Sequence, residues 1–473
     1  MPARPVHAVE ARPVARVGLL WGLGGLGLLL VTFVGTERGL APSTLALLVA
    51  GLAGILIVVR PEWGVVVLTS TFFLSYPEVL EGSGRLTINN VLGAMLAVLL
   101  AVRVGIERRA EFLRSRAIQL FLLLALALLA NHALAPQLPN LPGIEVKNVP
   151  TWRVQELLSR TAYLVFFVAF IQARWQILVL VWLIVGSVLL TAPGAIWNAL
   201  AATDTEAARA AASFGINIAK NPNRLAFLCA MSIAIIGHAV PEARTRIVRV
   251  GGLVAIAVLI MTIFLSASRS GLIELVALLV MFVGGGVHRR RTRVFLLALA
   301  ISAGIGLTLV PEQHFDRMTN FFRTERSESA ASTRNRLELL GIGVRMFADH
   351  PVIGVGVENF RRVSNADYGS HRISALHNSY LLTLVEGGIL LFIPYLLIFG
   401  SLWRELRDTG RLAARRSGLG LAWLVGATRT IFVLFLIFSF FADVWHELFL
   451  YLITGLTVTV GRLYRRDPGA GPA

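Results

Sequence analysis

Cysteine is almost missing from this chain: Cys229 is the one thiol in 473 residues. A single thiol excludes an intrachain disulfide and a cysteine-based metal site. Charge is scarce as well. Asp, Glu, Lys and Arg make up 15% of the residues, where soluble domains carry about 25%. Acids are the rarer sign, 27 against 44 Lys and Arg, which leaves a net charge of +17. No P-loop and no Gly-x-Ser-x-Gly motif occurs, which argues against ATP-driven transport and against an esterase. No repeat of fixed period is visible, so neither a solenoid nor an inverted-repeat transporter is signalled.

Apolar residues fill the space that charge leaves. They make up 56% of the chain, and the mean hydropathy is +0.72. Repeated apolar runs of about 18–22 residues are the length that crosses a bilayer core of about 30 Å as helix. Such runs fall near 17–34, 43–59, 62–78, 88–102, 117–134, 156–172, 175–193, 223–239, 250–266, 270–287, 294–310, 377–400, 420–441 and 445–461. The expectation is an all-α polytopic transmembrane bundle of twelve to fourteen helices. Residues 1–473 form one integral membrane domain, with a large loop at 311–376 inserted between spans.

The excess of positive charge invites a nucleic-acid partner, but its distribution points elsewhere. With a cytoplasmic N-terminus, more than half of the 44 Lys and Arg fall in the short segments on that side, as the positive-inside rule requires. The run at 288–293, HRRRTR, reads as a topology anchor, so no nucleic-acid partner is expected. The N-terminal arginines precede an apolar run in the manner of a signal peptide, yet no small-residue cleavage site follows Val34, so that run is expected to stay as a first helix. Both termini are then cytoplasmic, and 311–376 lies on the opposite face.

Three loops on that opposite face exceed a tight turn. The segment 136–155 has four prolines and reads as an extended cap; 198–222 is alanine-rich and partly helical. The third, 311–376, contains an amphipathic helix. Ser332 or Thr333 can cap it, Leu337, Leu340, Val344 and Phe347 recur on one face, and Asp349-His350-Pro351 ends it. It is expected to lie at the membrane–water boundary and roof the bundle.

Some charges stand where a membrane chain should avoid them. Arg224 opens a helix, Arg269 sits in a short outer turn, and His377 starts the helix that returns from the loop. All three fall at one depth. Arginine's planar fork matches phosphate oxygens, so this set suits an anionic lipid head group, a diphosphate above all. Each arginine alone could equally snorkel to headgroups. Arg429 lies mid-helix and is expected to face the bundle interior, paired with an acid or a ligand phosphate. Arg160 is a weaker version, and Glu274 and Glu386 are the buried acids. Asp443, His446 and Glu447 cluster in one turn and read as helix caps rather than metal ligands. No metal and no cofactor is expected.

Several stretches together resemble one family. They are SASRSG at 266–271, the stretch from Arg336 through Asp349-His350-Pro351 to Gly354-Val355-Gly356-Val357-Glu358-Asn359-Phe360, and His377-Asn378, nine residues, then Gly388. This combination is similar to the O-antigen ligase and O-antigen polymerase superfamily over about 220–400. The resemblance implies a metal-independent, inverting glycosyltransferase of the bacterial inner membrane. It would act on the periplasmic face, taking a glycan from undecaprenyl diphosphate and passing it to an acceptor. Lipid A-core is the acceptor of the ligase branch. The polymerase branch uses a second lipid-linked repeat unit, and a third branch uses protein. The Asp-x-Asp pair of metal-dependent lipid-linked glycosyltransferases is missing. By the same resemblance His377 is the general base, Arg224 and Arg269 bind the diphosphate, and Arg336 opens the periplasmic helix. Asn378, Arg429 and Arg160 complete the expected substrate-binding set. A lipid-linked glycan transporter without chemistry is the alternative from another class.

Overall fold

The computed structural model describes residues 54–73, 87–108, 110–135, 149–201, 220–284, 289–309, 328–370, 375–416 and 419–466. Among the described residues all regular structure is helical: α1 (Pro61–Phe73), α2 (Ile88–Gly105), α3 (Arg116–Leu134), α4 (Val149–Phe170), α5 (Arg174–Ala201), α6 (Pro222–Ala239), α7 (Arg246–Leu265), α8 (Arg269–Gly284), α9 (Arg289–Leu309), α10 (Glu328–Asp349), α11 (Phe360–Ala366), α12 (Ser379–Arg415), α13 (Ala422–Phe438) and α14 (Leu448–Arg466). Among the described residues, five stretches are long and apolar enough to cross a membrane: α3, α5, α6 with its following turn, α7 and α12. Shorter apolar helices lie in α2, α9 and α13. Every apolar run expected from 62–78 onward has its helix. The expected helix at 17–34 and most of that at 43–59 lie outside the described residues.

Several boundaries differ from the sequence reading. α10 starts at Glu328, so Ser332 and Thr333 lie within the helix instead of capping it and Arg336 lies two turns in instead of opening it, and α5 runs on to Ala201. Three further differences have a local reason. First, α4 begins at Val149, inside the segment expected to be extended. Arg153 pairs with Glu156, and Glu156 with Arg160, and such i,i+3 and i,i+4 pairs favour helix in the first turns. Second, α12 runs on to Arg415 instead of ending at the apolar boundary near 400. Leu402, Leu406, Thr409 and Ala413 stay buried, so an amphipathic stripe carries the helix onward. Third, His377 precedes α12 instead of opening it. Asn378 is the cap, and its side chain accepts the Leu381 N–H at 3.0 Å.

The roof helix exists, but its docked face is turned from the expected one. Leu339, Ile342 and Met346 are buried, and a Cβ added at Gly343 would touch Leu381 and Leu376. The expected stripe is split: Leu340 and Phe347 are partly buried against the core, whereas Leu337 is 64% and Val344 57% exposed. The docked face is centred on Leu339, Ile342, Gly343 and Met346, with Leu340 and Phe347 at its edge.

The span α12 is broken where it passes this loop. Gly388 has φ +57° and ψ −162°, a region that only glycine occupies readily. The loop supplies the hydrogen bonds that the helix gives up. Val355 and Gly356 donate to the Val385 and Glu386 carbonyls at 2.9 Å, Ile389 donates to Pro351 at 2.9 Å, and Leu390 donates to Val352 at 3.1 Å. Asn131 on α3 closes the joint, donating to the Ile353 carbonyl at 2.6 Å and the Glu386 carbonyl at 3.3 Å. Backbone packs on backbone so tightly that a Cβ at Gly388 would stand 2.3 Å from the Val352 oxygen, and one at Gly354 2.6 Å from the Glu386 carbonyl. The glycines of the sequence motif are therefore the joint between loop and span.

Candidate active site

That joint delivers His377 into a cavity of about 180 Å³. The walls come from α4 (Arg153), the start of α6 (Asn221, Asn223, Arg224), the loop and α11 (Glu358, Phe360, Arg361), the entry to α12 (Leu376, His377, Leu382, Glu386) and the α13–α14 turn (Ala442, Asp443, His446).

His377 is held in a left-handed backbone conformation, φ +56°, which costs on the order of 1–3 kcal/mol for a non-glycine residue and needs support from its surroundings. The support is the α13–α14 turn. The Asp443 carboxylate accepts the Asn378 N–H at 3.1 Å and also the His377 N–H. Ser379 locks the same contact. Its N–H donates to the Ser439 carbonyl at 2.8 Å, and its hydroxyl donates to the Ala442 carbonyl at 2.6 Å and accepts the Val444 N–H at 2.7 Å.

Electrostatics then set the protonation states. Burial lowers the His377 pKa to about 4, aided by the charges of Arg336 and Arg361. Its imidazole is therefore neutral at neutral pH. Burial raises Asp443 to about 6, against the pull of Arg361 and of the two N–H donors. Burial also lowers His446, which four arginines (153, 160, 224 and 361) press further in the same direction. The Glu386 Oε1 accepts the Phe360 N–H at 3.4 Å, so this buried acid anchors the loop at the cavity wall.

Below the cavity the charges alternate in a ladder. Glu358 takes Arg153 at 2.6 Å, Glu156 takes both Arg153 and Arg160, and Glu447 takes Arg224 at 2.5 Å with Arg160 at 3.7 Å. His446 stands 3.7 Å from the same Glu447. The ladder ties α4, α6, α14 and the loop together.

The expected site residues divide three ways. His377 and Arg224 line the cavity. Arg336 acts on His377 through its charge, and Arg160 stands one rung down the ladder. Arg269 is half-buried at the start of α8 and does not line the cavity. Its neighbour Ser268 donates to Asn223 at 2.8 Å, which ties that turn to the cavity wall. Asn378 serves as the helix cap. Arg429 corrects the sequence reading: it is exposed, its guanidinium 5.5 Å from the Trp403 ring. That outward ring face attracts a cation where the bundle interior was expected to hold it. Glu274 is fully buried in α8, away from the cavity. Arg153 and Arg361 were not foreseen. Nothing in the local sequence sets them apart, and only the fold brings them to the walls of the His377 cavity.

Residues 253–396 match the family model of O-antigen ligase. The matched stretch runs from α7 into α12 and includes Arg269, Arg336, His377 and Gly388. The match supports the O-antigen ligase superfamily for this chain. No curated protein matches the chain.

Proposed function

We propose that this chain, whose residues 253–396 match the O-antigen ligase family model, is a membrane glycosyltransferase that moves a glycan from undecaprenyl diphosphate to lipid A-core at the periplasmic face of the inner membrane. The observation that carries this reading is one cavity in which a neutral imidazole, His377, shares walls with Arg153, Arg224 and Arg361.

An acceptor hydroxyl is a poor nucleophile, and a positioned imidazole takes its proton as the oxygen attacks the anomeric carbon. The bond from that carbon to the diphosphate oxygen breaks on the opposite face, so configuration inverts. Charge grows on the lipid diphosphate, where guanidinium groups stabilise it best in a water-poor cavity. The proposed diphosphate ligands are Arg224, Arg361 and Arg153, with Arg269 close by. Arg224 and Arg153 rest on carboxylates, so the donor must compete with Glu447 and Glu358 for them. Arg336 and Arg361 depress the basicity of His377. A bound dianion beside them offsets their charge, and His377 becomes a stronger base when the donor is present.

The test is a reconstituted reaction with lipid-linked glycan and either lipid A-core or a second lipid-linked glycan. Elongation of lipid A-core supports the ligase reading; elongation of the second lipid-linked glycan alone assigns the chain to the polymerase branch. Transfer that survives His377→Ala would remove the general base. Transfer that stops in excess EDTA would remove the metal-free mechanism. Transfer is expected to fall by about 100-fold or more in His377→Ala and to persist in EDTA.

A further inference from the structure

The far end of the bundle holds a second polar cavity. α14 starts at Leu448, next to the His377 cavity, and ends at Arg466, roughly 28 Å away at the helical rise. Two adjoining pockets of about 290 and 480 Å³ meet there and share Glu111, Arg462 and Arg466. Arg103, Arg114, Arg116, Arg462, Arg465 and Arg466 line them. Among the described residues, Glu111 and Glu405 are the acids that line the two pockets. Glu111 pairs with Arg466, and Glu405 accepts Arg465 at 2.6 Å. Even with Arg103 set aside, these two carboxylates face five guanidinium groups, so the described lining carries an excess of positive charge.

Two further features aim that charge inward. Arg462 is half-buried; its Nη2 donates to the Val168 and Ile171 carbonyls at the end of α4, while its Nε is buried with no hydrogen-bond partner among the described residues. The start of α3 also lines the cavity. Ser115 stands at the cap, yet its side chain makes no bond to the first N–H groups of this 19-residue helix. A helix N-terminus carries about half a positive charge and presents N–H donors to an anion. Arginines that only fix topology need neither a cavity nor a buried guanidinium.

We infer that this cavity is a binding site for a phosphate-bearing anion, held by the guanidinium cluster and the N-terminus of α3. Guanidinium forks match phosphate oxygens, and basic pockets between membrane helices suit anionic headgroups. The source is an anionic phospholipid headgroup or free phosphate.

The full-length chain in neutral detergent tests this. Its melting is followed with phosphatidylglycerol, with phosphatidylcholine and with inorganic phosphate. Phosphatidylglycerol is expected to raise the melting temperature by several degrees and phosphatidylcholine to leave it unchanged. The double variant Arg114→Gln, Arg116→Gln should lose more than half of that shift. A shift with inorganic phosphate that phosphatidylglycerol does not exceed supports the site with free phosphate as its occupant. No shift with either phosphate source, or a double variant that responds in full, overturns the inference. Where the variant melts lower without lipid, native mass spectrometry reads phosphatidylglycerol occupancy at one temperature. Occupancy reduced by more than half in the variant supports the site, and occupancy equal to that of the unaltered chain overturns it.

Discussion

At the scale of single residues, the site turns on a histidine held by its backbone and kept neutral by burial, with help from two arginines. Asp443 holds the backbone in its anionic form, which is lost as pH falls through about 6. His377 accepts a proton only in its neutral form, which is lost as pH falls through about 4. The acid limb of kcat/KM should therefore descend in two steps, near 6 and near 4, and Asp443→Asn should remove the upper one. Arg361 lowers both groups, so Arg361→Gln should move both steps to higher pH; a profile that stays in place would refute this electrostatic account. Much of the residue-level site could be read from the chain. His377 and Arg224 stand out as charges at helix starts in an apolar sequence. Asp443 stands out only as a helix cap, and its hold on the His377 backbone is not legible, because its partner Asn378 is 65 residues away. Arg429 misleads, because an apolar run does not tell which side of a helix faces lipid.

At the scale of elements, the joint between loop and broken span decides where His377 sits. Gly388→Ala demands a Cβ 2.3 Å from a carbonyl oxygen at a backbone angle closed to alanine. It should cost more than about 2 kcal/mol, read as a lowered melting temperature together with lost transfer. The roof helix gives a paired comparison. Ile342→Ala empties a docked position, 1% exposed, and should destabilise by about 2–4 kcal/mol. Val344→Ala changes an exposed one and should stay within about 0.5 kcal/mol. Equal losses would mean that Val344 docks as well. The existence and placing of these helices were legible, because period and apolar length are local properties. Which face docks was not, because the choice depends on Leu376 and Leu381 in another part of the chain.

At the scale of the whole molecule, the site is assembled from well beyond the stretch that matches the ligase family. His377, Arg336 and Glu358 lie inside 253–396, whereas Arg153, Arg160, Arg224, Asp443 and Glu447 lie outside it. The ladder joins the two parts. Buried charges tolerate the loss of a partner poorly, at about 3–5 kcal/mol. Glu447→Gln leaves Arg224 and Arg160 facing each other and should lower the melting temperature more than Glu405→Gln, whose partner Arg465 is half-exposed. A larger effect from Glu405→Gln would mean that the ladder contributes little to holding the bundle.

The length of α12 has a practical consequence. From Gly388 the rod is continuous to Arg415, about 40 Å at the helical rise and longer than the bilayer core of about 30 Å. One end lies beside the His377 cavity, and a rod of this length is expected to carry the other beyond the core. Arg411 near its tip is 68% exposed, and the chain's own thiol, Cys229, is buried. Arg411→Cys thus offers an impermeant maleimide one accessible target. Labelling of inside-out vesicles but not of intact cells would put the tip in the cytoplasm and His377 on the far side; the reverse pattern would turn the molecule over.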